Sequence, residues 1–173
     1  MQTTKTLIVV RHAKSSWKYP ALSDLERPLN KRGKRDAPFM GELMYQKDIK
    51  VDVMISSPAQ RTLSTALAFA EAMQHPTEKI VLAPEIYEVM ADTILDIIQS
   101  RFNDSWQQVM LFGHNYACTD FANWYAKPAI DNVPTCGIVA IDYSIEKWSM
   151  ADKNNGSIRF FEYPKLYTKK KLY

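Results

Sequence analysis

Two imidazoles and two guanidiniums carry the chemistry that can be read from this chain. His12 follows the apolar run at residues 7–10 and its neighbour Arg11, and His114 follows a second apolar run at 108–112 across Gly113. The third histidine, His75, stands in no such context. Arg61 falls in the first turn of a predicted helix, where free backbone N–H groups and the helix dipole already favour an anion. Paired guanidiniums match the fixed oxygen geometry of a phosphate. An imidazole attacks phosphorus only while one ring nitrogen keeps its lone pair, and cationic neighbours hold it neutral by lowering its pKa. Phosphoryl transfer spreads negative charge over three equatorial oxygens, so preorganised positive donors are the main catalytic resource, each worth about 3 kcal/mol. Arg11, His12, Arg61 and His114 together point to phosphoryl transfer through a covalent phosphohistidine. Protonated, His114 would add one more donor. The arrangement requires no metal and implies no cofactor.

These residues must be positioned by a fold, and the composition bounds which one. The chain has 173 residues, 46% hydrophobic and 24% charged, as one compact domain spanning 1–173 should be; a disordered or fibrous chain is excluded. Twenty-two Lys and Arg against nineteen Asp and Glu leave a charge of +3, too little to argue for nucleic acid. Cys118 and Cys136 form no CxxC pair, so reduced, structural thiols are expected rather than a disulfide framework or a zinc site. No apolar run approaches the roughly 20 residues that span a bilayer or the core of a signal peptide. A cytoplasmic protein with no membrane partner is expected.

Short β-branched or apolar runs alternate with helical patterns along the chain. Strands are predicted at 6–10, 51–55, 79–83 and 108–112. Leu63, Ala66, Leu67, Ala70 and Met73 give helical spacing after the second strand, with Ser57 as N-cap and Pro58 as first helical residue. Further helices are predicted around 93–102 and 119–126. A helix over 31–48 contains Gly33, Pro38 and Gly41, which predict a late start or a kink. GIVAIDYS and GSIRFFEYP read as a hairpin at one edge of the sheet. Met40, Met44, Met54 and Met73 suit gap-filling in a core, and the final KLYTKKKLY reads as a frayed tail. The expectation is a three-layer α/β/α fold with a mostly parallel central sheet. In such sheets ligands bind beyond the carboxyl ends of the strands, where RHAKSSW, SSPAQR, APEIYE and GHN should meet on one rim.

In order, spacing and context, VVRHAKSSW, SSPAQRTLSTA and LFGHN resemble the histidine phosphatase superfamily, also called phosphoglycerate-mutase-like. The resemblance covers the chain from about Leu7 to Asn115. It implies that His12 is the phosphorylated nucleophile and that Arg11, Arg61 and His114 form the phosphate pocket. The short chain and the segment DLERPLNKRG, residues 24–33, resemble the small phosphohistidine phosphatases of the SixA type. That similarity gives Asp24 and Arg27 a phosphate-side or substrate-side role, and implies a phosphohistidine protein as substrate, such as a histidine-containing phosphotransfer or phosphorelay protein. Ala13 stands where the superfamily commonly has glycine, which would be strained if the backbone required a positive φ.

Around this set several residues remain open between two uses. Lys14, Ser15 and Ser16 reach the phosphate or substrate, or are solvated loop residues. Glu85, or Glu88 a turn later, is the choice for a proton donor, which an ester substrate needs more than a phosphohistidine does. Arg27, Lys31, Arg32, Lys34 and Arg35 make either a solvated face or a basic collar that steers an anionic partner. Trp17, Tyr19 and Trp124 line a recognition surface or the core edge. The rival functions are a phosphomonoesterase of small phosphate esters and a non-catalytic module that binds phosphorylated partners.

Overall fold

The computed structural model describes residues 3–168. Its centre is a six-stranded sheet in the order β3-β2-β4-β1-β5-β6. The strands are β1 (Thr4–Arg11), β2 (Val53–Ser56), β3 (Ile80–Leu82), β4 (Gln108–Gly113), β5 (Ile138–Ser144) and β6 (Gly156–Glu162). β1 to β4 pair in parallel, while β5 and β6 run antiparallel at one edge. Helices α1 (Lys31–Gln46) and α2 (Gln60–Ala72) cover one face, and α3 (Ala91–Arg101) and α4 (Ala117–Asn123) the other. The three-layer α/β/α expectation and the edge hairpin are both met.

Strand alternation explains the two cores. Leu7, Val9, Val109, Leu111 and Ile141 point towards α3 and α4, where Ile94, Ile98 and Phe121 bury against them. Ile8, Val10, Met110, Phe112 and Ile138 point towards α1 and α2, against Met40, Met44, Phe69 and Ala70. Each fully buried side chain of this size contributes about 1.5–3 kcal/mol. Met54 and Met73 join the second core, as their gap-filling reading expects.

Three local expectations are corrected. Helix α1 neither starts late nor waits for Pro38 to pass: Asn30 caps it by accepting the Gly33 N–H at 2.9 Å, so the helix runs from Lys31 with Pro38 inside. The same two glycines permit close packing. A Cβ at Gly33 would lie 2.2 Å from the Lys14 carbonyl oxygen, and one at Gly41 would lie 2.9 Å from Ala72 of α2. Ser57 is not the N-cap of α2, which begins after Ala59 with no side-chain cap; its hydroxyl oxygen lies before the helix and accepts from the Ala59 N–H at 3.3 Å and from His114 at 2.8 Å. The expected frayed tail is a short helix α5 (Lys165–Thr168) in its first part, held where Tyr167 donates to Glu162 at 2.5 Å and meets the Phe39 ring edge-on; its remainder lies outside the described residues. No helix among the described residues is long and apolar enough to cross a membrane.

Candidate active site

Strand register builds the site. β1 and β4 pair so that Arg11 lies opposite Gly113, and the His12 N–H bonds the Gly113 carbonyl at 3.1 Å. The next side chains are therefore neighbours: the His12 and His114 rings stand 5.4 Å apart, tilted by 58°. β2 pairs with β4 through Ser56 and Phe112, which places Ser57 beside His114. β3 delivers a short 3₁₀ turn, Pro84–Ile86, and then Tyr87, whose ring meets His114 edge-on at 5.5 Å. His75 follows α2, at the opposite end of the strands.

Hydrogen bonds assign the tautomers of both imidazoles. The His12 Nδ1 lies 2.7 Å from the Ala13 carbonyl oxygen. A carbonyl only accepts, so Nδ1 carries the proton and Nε2 keeps the lone pair. For His114, Arg61 Nη2 approaches Nδ1 at 3.3 Å and only donates. Nε2 thus carries the hydrogen and gives it to Ser57 Oγ at 2.8 Å, with Thr62 Oγ1 at 3.3 Å. Burial is the first cause that lowers the His12 pKa to about 3, with the charges of Arg61 and Arg11 acting the same way. His114 is lowered to about 4, again by burial first and then by Arg61. Both rings are neutral at pH 7, and His114 donates as a neutral imidazole.

Three arginines of the site are anchored through their terminal nitrogens. Arg61 donates to the Asp24 carbonyl oxygen at 2.6 Å and to its carboxylate at 3.0 Å. Arg27 donates to the other Asp24 oxygen at 3.0 Å and to the Ser15 hydroxyl, with its guanidinium 3.9 Å above the Trp17 ring. Arg11 Nη1 donates to the Val133 carbonyl at 2.9 Å. That carbonyl belongs to a loop pinned to β1 where the Cys136 N–H bonds the Arg11 and His12 carbonyls. In each of the three, the buried Nε has no partner among the described residues.

Asp24 is the hub of this network. Its carboxylate also accepts from the Tyr87 hydroxyl at 2.5 Å. That bond, followed by those from Arg27 and Arg61, holds the carboxyl well below its ordinary range and pushes the Tyr87 phenol up to about 12. Asp24 binds the arginines that face the histidines, an arrangement its sequence context alone did not disclose. Tyr87, Ser57, Thr62 and Thr65 were also missed. Thr65 accepts the Ala13 N–H at 2.9 Å and donates to the Arg61 carbonyl at 2.8 Å, so it ties β1 to α2. A signal existed, since Tyr87 lies in the APEIYE segment and the other three in SSPAQRTLST.

The remaining sequence-derived residues divide. Ala13 is buried and lies outside the left-handed region, so alanine is unstrained there. Glu85 is ion-paired with Arg101 at the end of α3 and does not enter the Asp24–Arg61–His114 network. Glu88 stands beside Tyr87 and adds to the rise of its pKa. Lys14, Arg32 and Arg35 turn away from Arg27 into a separate cavity. Trp124 packs on the core beside Phe121, whereas Trp17 and Tyr19 are exposed. Cys118 and Cys136 are free and buried, and burial pushes the Cys118 thiol up to about 12.

The fold and this site define a class: an α/β protein that presents a neutral imidazole and convergent arginines at the carboxyl ends of its strands. The profile of the histidine phosphatase superfamily (branch 1) matches residues 7–111, and the chain belongs to that superfamily. It is 26% identical over 155 residues to an uncharacterized chloroplastic protein of Arabidopsis thaliana, covering 86% of this chain and 71% of the other. It is 41% identical over 70 residues to phosphoserine phosphatase 1 of Hydrogenobacter thermophilus, covering only 38% of this chain and 31% of that protein. In structure it is similar to the protein assigned as phosphohistidine phosphatase SixA from Agrobacterium tumefaciens, with a TM-score of 0.78 and 25% identity over 92% of this chain and 98% of the other. A protein histidine phosphatase SixA complexed with tungstate has the same fold, with a TM-score of 0.76 and 17% identity over 93% and 98% of the two chains.

Proposed function

We propose that the protein is a phosphohistidine phosphatase, built on one catalytic domain, that removes the phosphoryl group from a phosphohistidine protein through a phosphorylated His12. The observation that carries this reading is the His12 ring, held neutral with its Nε2 lone pair free and close enough to Arg11 and Arg61 for their charges to lower its pKa. In the first step, Nε2 forms a bond to phosphorus as the substrate P–N bond breaks, and the departing ring, already protonated on its other nitrogen, keeps the electron pair and leaves as neutral imidazole. In the second, water attacks phosphorus, the Nε2–P bond breaks and inorganic phosphate leaves. Arginine donors supply the charge stabilisation in this scheme, so it runs without a metal. A bound phosphoryl dianion would raise the His114 pKa towards the protonated form, and Nδ1, which accepts from Arg61 in the neutral ring, then carries a hydrogen that it donates to a transferring oxygen.

The proton requirement favours this substrate over an ester. Imidazole leaves from phosphorus more readily than an alkoxide does, and Glu85, the acid expected for an ester, is bound to Arg101. The Agrobacterium tumefaciens protein assigned as phosphohistidine phosphatase SixA, which shares this fold at 25% identity, supports the same reading. Release of phosphate from a histidine-phosphorylated carrier protein, compared with His12→Ala in chelator-treated buffer, tests it. Release by the parent alone is expected; release by both overturns the role of His12. A phosphomonoesterase is the second reading, supported by the partial match to phosphoserine phosphatase 1. It requires that Glu85→Gln abolish ester cleavage, whereas phosphohistidine turnover should change little.

A further inference from the structure

A cavity of about 370 Å³ that neither His12 nor His114 lines is walled by Arg11, Lys14, Arg32, Arg35, Lys165 and Asp36. Five cationic side chains face one carboxylate there, and that carboxylate is already engaged: Arg35 donates to Asp36 at 2.9 and 3.0 Å, with Arg32 4.0 Å away. Arg32 also donates weakly to Thr135 at 3.4 Å, so the opposite wall offers a hydroxyl. A concave surface with this surplus of positive charge favours an anion, and its volume is room enough for a carboxylate side chain together with the peptide segment that carries it.

The cavity is coupled rigidly to the His12 pocket. Arg11 is common to both: it lines the cavity and its charge lowers the pKa of His12 and of His114. Lys14 lies two residues beyond His12, and its carbonyl accepts the Asn30 N–H at 2.9 Å directly before α1 begins. Gly33 is packed so closely on Lys14 that even a methyl group is excluded, which fixes α1, and with it Arg32 and Arg35, relative to the nucleophile. Two separate anions would compete for Arg11. One molecule that carries both groups makes the second contact at high effective concentration.

We infer that this cavity is a carboxylate-binding subsite that recognises an acidic side chain of the same protein whose phosphohistidine enters the His12 pocket. The inference rests on the phosphohistidine phosphatase reading. It divides the basic run of residues 27–35 by task, with Arg27 at the phosphoryl group and Arg32 and Arg35 at the second anion.

Phosphohistidine peptides with a single glutamate walked through each position on either side, compared with an all-alanine peptide, test it on the full chain. For the parent, glutamate at one narrow set of offsets should raise kcat/KM by about 10-fold through KM. The Arg32→Gln, Lys165→Gln double variant should lose that gain while turning over the all-alanine peptide as the parent does. Equal turnover of every peptide by the parent, or a gain that survives in the double variant, overturns the subsite. Added succinate that alters turnover of the all-alanine peptide by the parent but not by the double variant would assign the cavity to a free anion, which also overturns it. No turnover of any peptide would overturn the phosphohistidine reading, and the subsite with it.

Discussion

The two basic regions that share Arg11 differ in how their charge is held. Around His12 the cations are ordered from behind: Arg61 is almost fully buried and Asp24 binds it together with Arg27 and Tyr87. In the cavity, the side chains of Arg32 and Arg35 are 47% and 66% exposed, and Asp36 is their anchor. Charge that is fixed and desolvated stabilises a transition state because it needs no reorganisation when the reaction occurs. Exposed, hydrated charge on long side chains selects and orients a partner at smaller gain.

Substitutions can break this contrast at its strongest point first. His12→Ala should abolish phosphoenzyme formation and turnover, as followed with radiolabelled phosphoryl donor; retained labelling would move the nucleophile elsewhere. Arg61→Ala should lower kcat by about 10²–10³-fold and raise the His114 pKa, because the Arg61 charge is one of the causes that depress it. Asp24→Asn leaves the arginines in place but loosens them, and should lower kcat on the order of 10-fold. The same variant should bring the Tyr87 phenol down from about 12 towards 10, visible as an added tyrosinate signal in an ultraviolet titration. An unchanged kcat in Asp24→Asn would mean that the arginines hold their geometry without the carboxylate.

A different readout of the same contrast comes from pH. In a carbon-detected titration, His12 and His114 should stay neutral well below pH 6.5, protonating near 3 and 4. Because the unfolded chain binds these protons first, near 6.5, the folded state binds fewer between the two ranges. Stability from this pair is therefore complete above about pH 6.5 and is lost as pH falls from there towards 3. Protonation of either ring near 6.5 would show that its burial does not persist in solution.

Much of the architecture was legible because period and length are local properties. The β-branched run at 7–10 and the apolar run at 108–112 read as buried strands, and the strand–helix alternation implied parallel pairing. Helix ends were less legible, since they depend on where a side-chain oxygen finds its partner. Asn30 caps α1 and overrides Gly33 and Pro38, whereas Ser57, which has the residue type of a cap, sits before the first helical turn and shares its oxygen between the Ala59 N–H and His114. In the site, Arg11, His12, Arg61 and His114 could be named because their types and positions after strands already restrict their chemistry. The role of Asp24 was not legible, because its partners Arg61 and Tyr87 lie 37 and 63 residues away in sequence.

By itself the amino-acid sequence determined the layered α/β class, the family signature and the histidine–arginine set, all of which follow from residue type and short-range spacing. Only tertiary structure decided which nitrogen of each imidazole is free, that Asp24 organises the arginines, that Glu85 turns to Arg101, and that the basic run divides between two sites. Those outcomes depend on strand register and on burial. A one-residue change of register between β1 and β4 would separate His12 from His114, and a pKa near 3 arises only when folding removes water from the ring.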